Sequence, residues 1–276
     1  MKTIMITGGT SGLGKGLAMY YLKQGEQVIV IGHSLQKGER FLEEAKGIEA
    51  SKKAHYFQAD LSLKSENQRI IEAIKSQFEK VDALIFCSTM HSKVYTETSE
   101  GLELTFALDY LSRFQLNYGL KDWLEKSENP MILNVCGTGM RGAVNWKDLQ
   151  HKKQFSPQKV MMHGSRLNDL SGVAFHQNDK VGKINYILYN PMAVRTPGMS
   201  EFGNSFFKFI FKLIGKPVEQ AILPIISLLE NPPKSKLSAH RENKLLKLSL
   251  PTYNENNAQR LYQQTAPFLE GIYDEK

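Results

Sequence analysis

The 276-residue chain holds two cysteines, Cys87 and Cys136. That is too few for the cross-linked framework of a small secreted domain and fits a reducing compartment. No stretch of about twenty apolar residues occurs, so no segment has the length of a membrane-spanning helix. Met1-Lys2-Thr3 runs straight into an apolar strand and leaves no room for a signal peptide. A cytoplasmic protein is expected. Histidine, cysteine and carboxylate residues do not fall at metal-ligand spacings, so no metal is expected. Low-complexity linkers and internal repeats are missing too, and one domain spanning residues 1–276 suffices. The net charge is +7, but the lysines are scattered, with no aromatic-interleaved basic stripe and no nucleic-acid module. A solvated basic surface is the reading, and nucleic acid is not an expected partner.

What is present is ample apolar content, 41%, and one organising stretch near the start, Ile6-Thr7-Gly8-Gly9-Thr10-Ser11-Gly12-Leu13-Gly14-Lys15-Gly16. It follows the apolar run Ile4-Met5-Ile6, a buried strand, and leads into Leu17, Ala18, Tyr20, Tyr21 and Leu22, spaced as one face of a helix. Glycines let backbone reach left-handed angles and approach a ligand closely. A helix N-terminus offers unpaired N–H groups and a positive dipole end to a pyrophosphate. The spacing is TGxxxGxG rather than GxGxxG. The rival reading is a glycine-rich turn with no ligand.

Gln27–Ile31 is almost continuously apolar, as a strand buried on both faces should be. It ends at Gly32-His33-Ser34, with no acid before Glu39. An acid here would bind the ribose 2′-hydroxyl of NAD and repel the 2′-phosphate of NADP. Its absence, with donors at His33 and Ser34 and a cation at Lys15, favours NADP(H). Lys15 alone could equally be a solvated helix residue. Helices are expected over residues 35–47 and 66–78, with strands over 54–58, 81–85, 130–135 and 183–189. Repeated strand-then-helix alternation behind a glycine loop predicts an α/β fold with a doubly wound parallel sheet, binding its ligand at the strand carboxyl ends. Residues 217–230 predict a further helix, 244–248 an edge strand and 256–269 a closing helix.

The opening TGxxxGxG resembles the cofactor motif of the short-chain dehydrogenase/reductases. Thr98–Phe114, written SEGLELTFALDYLSRF after the threonine, is similar to the retinol-dehydrogenase-like branch's "DGLE…F.VNHLGHF", and Asn190–Thr196 to its "HPG.V.T". The resemblance covers nearly the whole chain. It implies an NADP(H)-dependent oxidoreductase acting on a hydrophobic carbonyl or alcohol, and a homo-oligomer, dimer or tetramer. By the same resemblance Gly8, Thr10, Ser11, Gly12, Leu13, Gly14 and Lys15 belong to the cofactor site, with Lys15 on the side of the 2′-phosphate, and Ser88 lets the backbone approach the ribose. Asp60-Leu61 meets the adenine, Thr196 the nicotinamide carboxamide, and Arg166 the ribose hydroxyls. Asp60 could also cap the helix after Ser62. Phe206–Ile214 is a very apolar helix where relatives place a substrate lid, about residues 195–230, which implies a hydrophobic ligand. Core, a dimer surface and an interfacial membrane helix are its rival readings.

The catalytic positions depart from the pattern. Asp109 stands for the relay-supporting Asn, Gly137 for the carbonyl-polarising Ser, Met162 for the acid/base Tyr and Arg166 for the Lys that tunes it. None of the eleven tyrosines has Lys four residues later, so the motif is missing rather than displaced. A general acid needs a proton to give, and Met162 has none. Thr138 is the nearest substitute hydroxyl, His163 lies one helical step off, and Cys87 and Cys136 end adjacent strands and could lie close together. Two functions follow: an oxidoreductase with a rearranged site, or a non-catalytic NADP(H)-binding sensor or partner-binding pseudoenzyme.

Overall fold

The computed structural model describes residues 1–90, 92–195 and 215–269. One eight-stranded sheet organises them, in the order β3-β2-β1-β4-β5-β6-β7-β8. The strands are β1 (Thr3–Thr7), β2 (Gln27–Gly32), β3 (Ala54–Gln58), β4 (Ala83–Phe86), β5 (Met131–Val135), β6 (Asn185–Asn190), β7 (Leu237–Arg241) and β8 (Lys244–Leu245). The pairs from β3 through β7 are parallel, and β8 adds antiparallel to β7. Strand order reverses beside β1, which pairs with β2 on one side and β4 on the other. That reversal is where open α/β sheets bind ligands.

Both sheet faces are covered, which is why the central strands read as apolar runs. On one face lie α1 (Gly12–Lys23) and α2 (Leu35–Gly47), packed on Ile4, Ile6, Val28 and Val30. On the other lie α3 (Lys64–Gln77), α5 (Ser112–Gly119), α7 (Pro157–Asn178) and α10 (Glu255–Thr265), packed on Met5, Ile29, Leu84 and Ile132. Between α3 and α5 come α4 (Leu104–Phe106) and a π-helical segment, Ala107–Leu111, and α6 (Lys121–Glu125) follows.

Several boundaries differ from those expected. In the stretch Thr98–Phe114, which resembles a long helix of the retinol-dehydrogenase-like branch, helix begins only at Leu104, because the Glu103 carboxylate accepts from the N–H groups of Thr105 (3.0 Å) and Phe106 (2.7 Å) and caps it there. The single helix of 217–230 is two, α8 (Val218–Ala221) and α9 (Leu223–Glu230), divided just before Pro224, whose missing N–H cannot continue the ladder. The strand beside β6 is β7, and the expected edge strand 244–248 shrinks to β8. Cys87 packs on the α1 face and Cys136 on the α7 face of the sheet. The expectation that they could meet is corrected by the alternation of side chains along strands. Burial pushes both thiols up to about 12, so they stay protonated.

Candidate functional site

The glycine loop lies at the carboxyl end of β1. Gly8 and Gly12 adopt left-handed φ values of 68° and 53°. A Cβ on Gly8 would fall 2.7 Å from the Ser88 nitrogen, and one on Gly14 would fall 2.4 Å from the Gly8 carbonyl oxygen. The turn therefore closes only with glycine, and α1 sits directly on it. Ser11 stands at the N-cap of α1 without turning its hydroxyl onto the helix, whereas Ser34 caps α2 and Asn254 caps α10. The first turn of α1 thus keeps its N–H groups for an anion. Leu13 is anchored in the core, and Thr10 lies over Gly32 at the end of β2. This cradle fits a dinucleotide pyrophosphate.

The adjoining strand ends carry the other expected residues. Tyr56 donates to the carbonyls of Gly32 (2.7 Å) and Ser34 (2.8 Å) and so shapes the turn that exposes His33. Lys15 forms an ion pair with Glu44 at 2.7 Å, which holds the Glu44 carboxyl below its ordinary range. Asp60 does not cap α3. Its carboxylate accepts from the N–H (3.0 Å) and hydroxyl (2.7 Å) of Ser62. Glu100 caps the helix instead, accepting from the N–H groups of Lys64 (2.5 Å) and Ser65 (3.1 Å). Leu61 is buried in the core and offers only backbone. Ser88 shares a hydrogen bond with Thr7 at 3.0 Å, and its carbonyl accepts from the buried guanidinium of Arg113 at 2.7 Å. Arg113 also donates to the Val135 carbonyl (2.9 Å) and to Asn134, stitching the ends of β4 and β5 together. Sequence reasoning missed Arg113. A cation amid the apolar periodicity of Leu111, Phe114 and Leu116 was the available signal.

The four departing positions gather beyond β4 and β5. Asp109, in the π-helical segment, accepts from the Thr89 hydroxyl (3.0 Å) and the Met90 N–H (3.2 Å). Gly137 follows β5, where an added Cβ would lie 2.4 Å from the Ser165 Oγ and 3.0 Å from the Met140 Sδ. Met162 is half-buried on α7. Arg166, 2% exposed, turns inward. Its guanidinium pairs with Asp169 at 2.8 Å, donates to the Gly137 carbonyl at 3.1 Å and donates to the Thr252 hydroxyl. The guanidinium that the resemblance sends to the ribose hydroxyls thus has internal partners. Thr138, expected as a substitute donor, is buried and shares a 2.7 Å hydrogen bond with the Tyr253 hydroxyl. Thr196 and the Phe206–Ile214 segment lie outside the described residues.

A family profile described as short chain dehydrogenase matches residues 2–147, more than half of the chain. The chain belongs to the short chain dehydrogenase family. It is similar to retinol dehydrogenase 13 of Mus musculus, 29% identical over 168 residues, covering 60% of this chain and 50% of the relative. It is also similar to oxidoreductase AN1596 of Emericella nidulans, 27% identical over 172 residues, covering 61% and 52%. The chain thus spans about half the length of these relatives. Among solved structures, salutaridine reductase from Papaver somniferum superposes with a TM-score of 0.67 at 15% identity, covering 86% of this chain and 99% of that one. A protein from Mycobacterium paratuberculosis gives 0.74 at 16%, covering 98% and 94%. The fold is that of the family, whose members bind nicotinamide dinucleotides. The profile match stops before α7, the helix that carries Met162 and Arg166.

His163, 4% exposed, meets the His151 ring edge-on at 4.7 Å beside a cavity of about 10 Å³ lined also by Glu103 and Thr105. Burial, and secondarily His151, depress His163 to about 4, with Asp148 opposing. A histidine held below its ordinary 6.5 binds its proton more readily when unfolded. Its contribution to stability is therefore intact above pH 6.5 and is lost as pH falls toward 4, about 3 kcal/mol in all. His163→Leu is expected to remove that share of the acid sensitivity. Denaturant unfolding at pH 7 and pH 4 checks it, and an unchanged difference between the two pH values would refute it.

Proposed function

We propose that this protein binds NADP(H) at the glycine cradle, in the cytoplasm, as one dinucleotide-binding unit, and accepts a small hydrophobic carbonyl or alcohol beside it. The observation that carries the reading is the split between the two halves of the site. The cradle around Gly8, Gly12 and Gly14 keeps every feature that anion binding needs. At the catalytic positions, Gly137 and Met162 carry no proton and Arg166 is bound to Asp169. A bound dinucleotide supplies hydride chemistry at its nicotinamide. The chain supplies binding through α1, Ser88 and the turn at His33-Ser34. It supplies no proton donor of the Ser–Tyr–Lys kind. A second reading, a non-catalytic sensor of the dinucleotide, is favoured by the burial of Arg166.

NADPH is expected to bind about tenfold or more tightly than NADH, since one charge-assisted hydrogen bond to the 2′-phosphate is worth about 1.5–3 kcal/mol. Lys15 must loosen from Glu44 to make it, so Glu44→Gln should strengthen NADPH binding and leave NADH unaffected. Calorimetric titration of both cofactors on both proteins is the test. Equal affinities, or tighter NADH, would end the NADP(H) assignment.

A further inference from the structure

We infer that the exposed loop of residues 243–250 seats the protein on an anionic lipid surface, with Leu245, Leu248 and Leu250 in the headgroup layer and Lys244 and Lys247 against the acidic headgroups. The stretch reads Asn-Lys-Leu-Leu-Lys-Leu-Ser-Leu. Leucine is ordinarily a core residue, yet Leu245 is 63% exposed, Leu248 37% and Leu250 40%. Single exposed leucines need no explanation. Three in one short loop form a patch, and contiguous apolar patches mark interaction sites.

The loop is held in this form by its own anchors. Leu246 packs onto the core, its Cδ1 2.5 Å from where a side chain on Gly139 would begin, and its N–H donates to the Ala239 carbonyl at 2.8 Å. Leu245 and Lys247, on either side of it, are left exposed. The Leu250 N–H donates to the Lys247 carbonyl (3.2 Å) and the Tyr253 N–H to the Leu250 carbonyl (3.0 Å). β8 starts where β7 ends, Lys244 opposite Arg241, so the patch lies at the carboxyl end of the sheet, as the glycine cradle does. The Glu242 N–H donates to the Asn190 carbonyl at 2.9 Å and brings the end of β6 alongside. Met192, 53% exposed just past that end, adds a fourth apolar side chain.

Charge decides between occupants. Residues 243–250 hold two lysines and no acid. Glu242, the acid on the turn, is held by Lys216 at 2.5 Å, whereas Lys244 and Lys247 have no carboxylate partner among the described residues. A second copy of this chain does not suit the patch, because two-fold pairing would set like lysines against each other. Nucleic acid would engage the lysines, but the loop has no aromatic ring on which a base could stack. A bilayer interface engages both residue types. The leucines enter the boundary between headgroups and acyl chains, and the lysines lay their methylenes along it with the ammonium groups among anionic headgroups. The negatively charged leaflet is the cytoplasmic one.

Co-sedimentation of the full chain with vesicles is the test, using phosphatidylcholine alone and phosphatidylcholine with about a quarter phosphatidylserine. Wild-type protein should bind the mixed vesicles at least about tenfold more tightly than the neutral ones, and added salt should weaken that preference. Lys244→Gln with Lys247→Gln should weaken binding to the mixed vesicles about tenfold or more. Leu245→Ser with Leu248→Ser should weaken it to a similar extent. Lys23→Gln with Lys180→Gln removes equal charge from exposed positions at the other end of the sheet and should leave binding within about twofold. Urea midpoints check that each variant stays folded, and the lysine pair decides the matter if the serine pair unfolds. No binding to mixed vesicles, equal binding to both kinds, binding that survives either loop pair, or a control pair as damaging as the loop lysines overturns the inference. So does a wild-type dimer that the serine pair disperses in sedimentation equilibrium, which would assign the patch to a second copy.

Discussion

Arg166→Met is expected to lower the unfolding free energy by about 3–5 kcal/mol, the cost of leaving a buried charge without its partner. Asp169 is completely buried, and burial pushes its carboxyl above the ordinary range, against the pull of Arg166, Thr138, Thr252 and the Gly139 N–H. Removing Arg166 removes the largest of these opposing influences. The double variant Arg166→Met with Asp169→Asn should recover most of the loss. The amide oxygen can still accept from the Thr252 hydroxyl, now 2.6 Å away, and from the Gly139 N–H at 3.3 Å, and no charge remains. The pH dependence has a definite sign. A carboxyl raised in the folded state favours folding while protonated and costs stability as pH rises above the unfolded value of 3.8. The deficit of Arg166→Met relative to wild type should therefore shrink on acidification. Urea unfolding of the four proteins of the cycle at pH 7 and pH 5 gives the coupling directly. A coupling near zero would mean that the pair holds nothing together.

The cradle was legible because its signals are local. Gly8 and Gly12 are required by their own left-handed backbone angles and Gly14 by its contact with Gly8 in the same turn, and the apolar runs of β1, β2, β4 and β5 follow from burial on both faces. β7 was not legible. Its buried residues include Ser238 and His240, so a strand inside the sheet lacked the apolar run, while Leu245, Leu246 and Leu248 suggested one a few residues on. That Gly137, Met162 and Arg166 stand where the resemblance places Ser, Tyr and Lys could be read from the sequence alone. What replaced them could not, because the partners are remote. Thr252 is 86 residues from Arg166 and Tyr253 is 115 from Thr138. Asp169, at i,i+3 from Arg166, was the visible half of that network, but spacing alone does not distinguish a buried pair from a solvated one.

Wild-type protein is expected to show negligible NADPH-dependent reduction of carbonyls by the family's proton-transfer route, and four substitutions together are expected to raise it. Met162→Tyr supplies the acid, and Gly137→Ser the polarising hydroxyl, once Ser165 turns its Oγ aside. Arg166→Lys supplies the cation that lowers the phenol's pKa. Lysine at 166 would still be drawn to Asp169, as the arginine is at 2.8 Å, so the set needs Asp169→Asn to free it. General acid catalysis contributes about 10²–10⁴-fold, and loss of a polarising donor costs about 10²–10³-fold. Groups acting as a unit are not additive, so the quadruple variant should exceed wild type by at least about 10² without reaching the product, and the triple variant retaining Asp169 should lag behind it. The measurement is NADPH oxidation across aldehydes, ketones and quinones for the three proteins. Robust wild-type turnover that the quadruple variant fails to improve would mean that the site holds another acid. A triple variant as fast as the quadruple would mean that Asp169 does not restrain the cation.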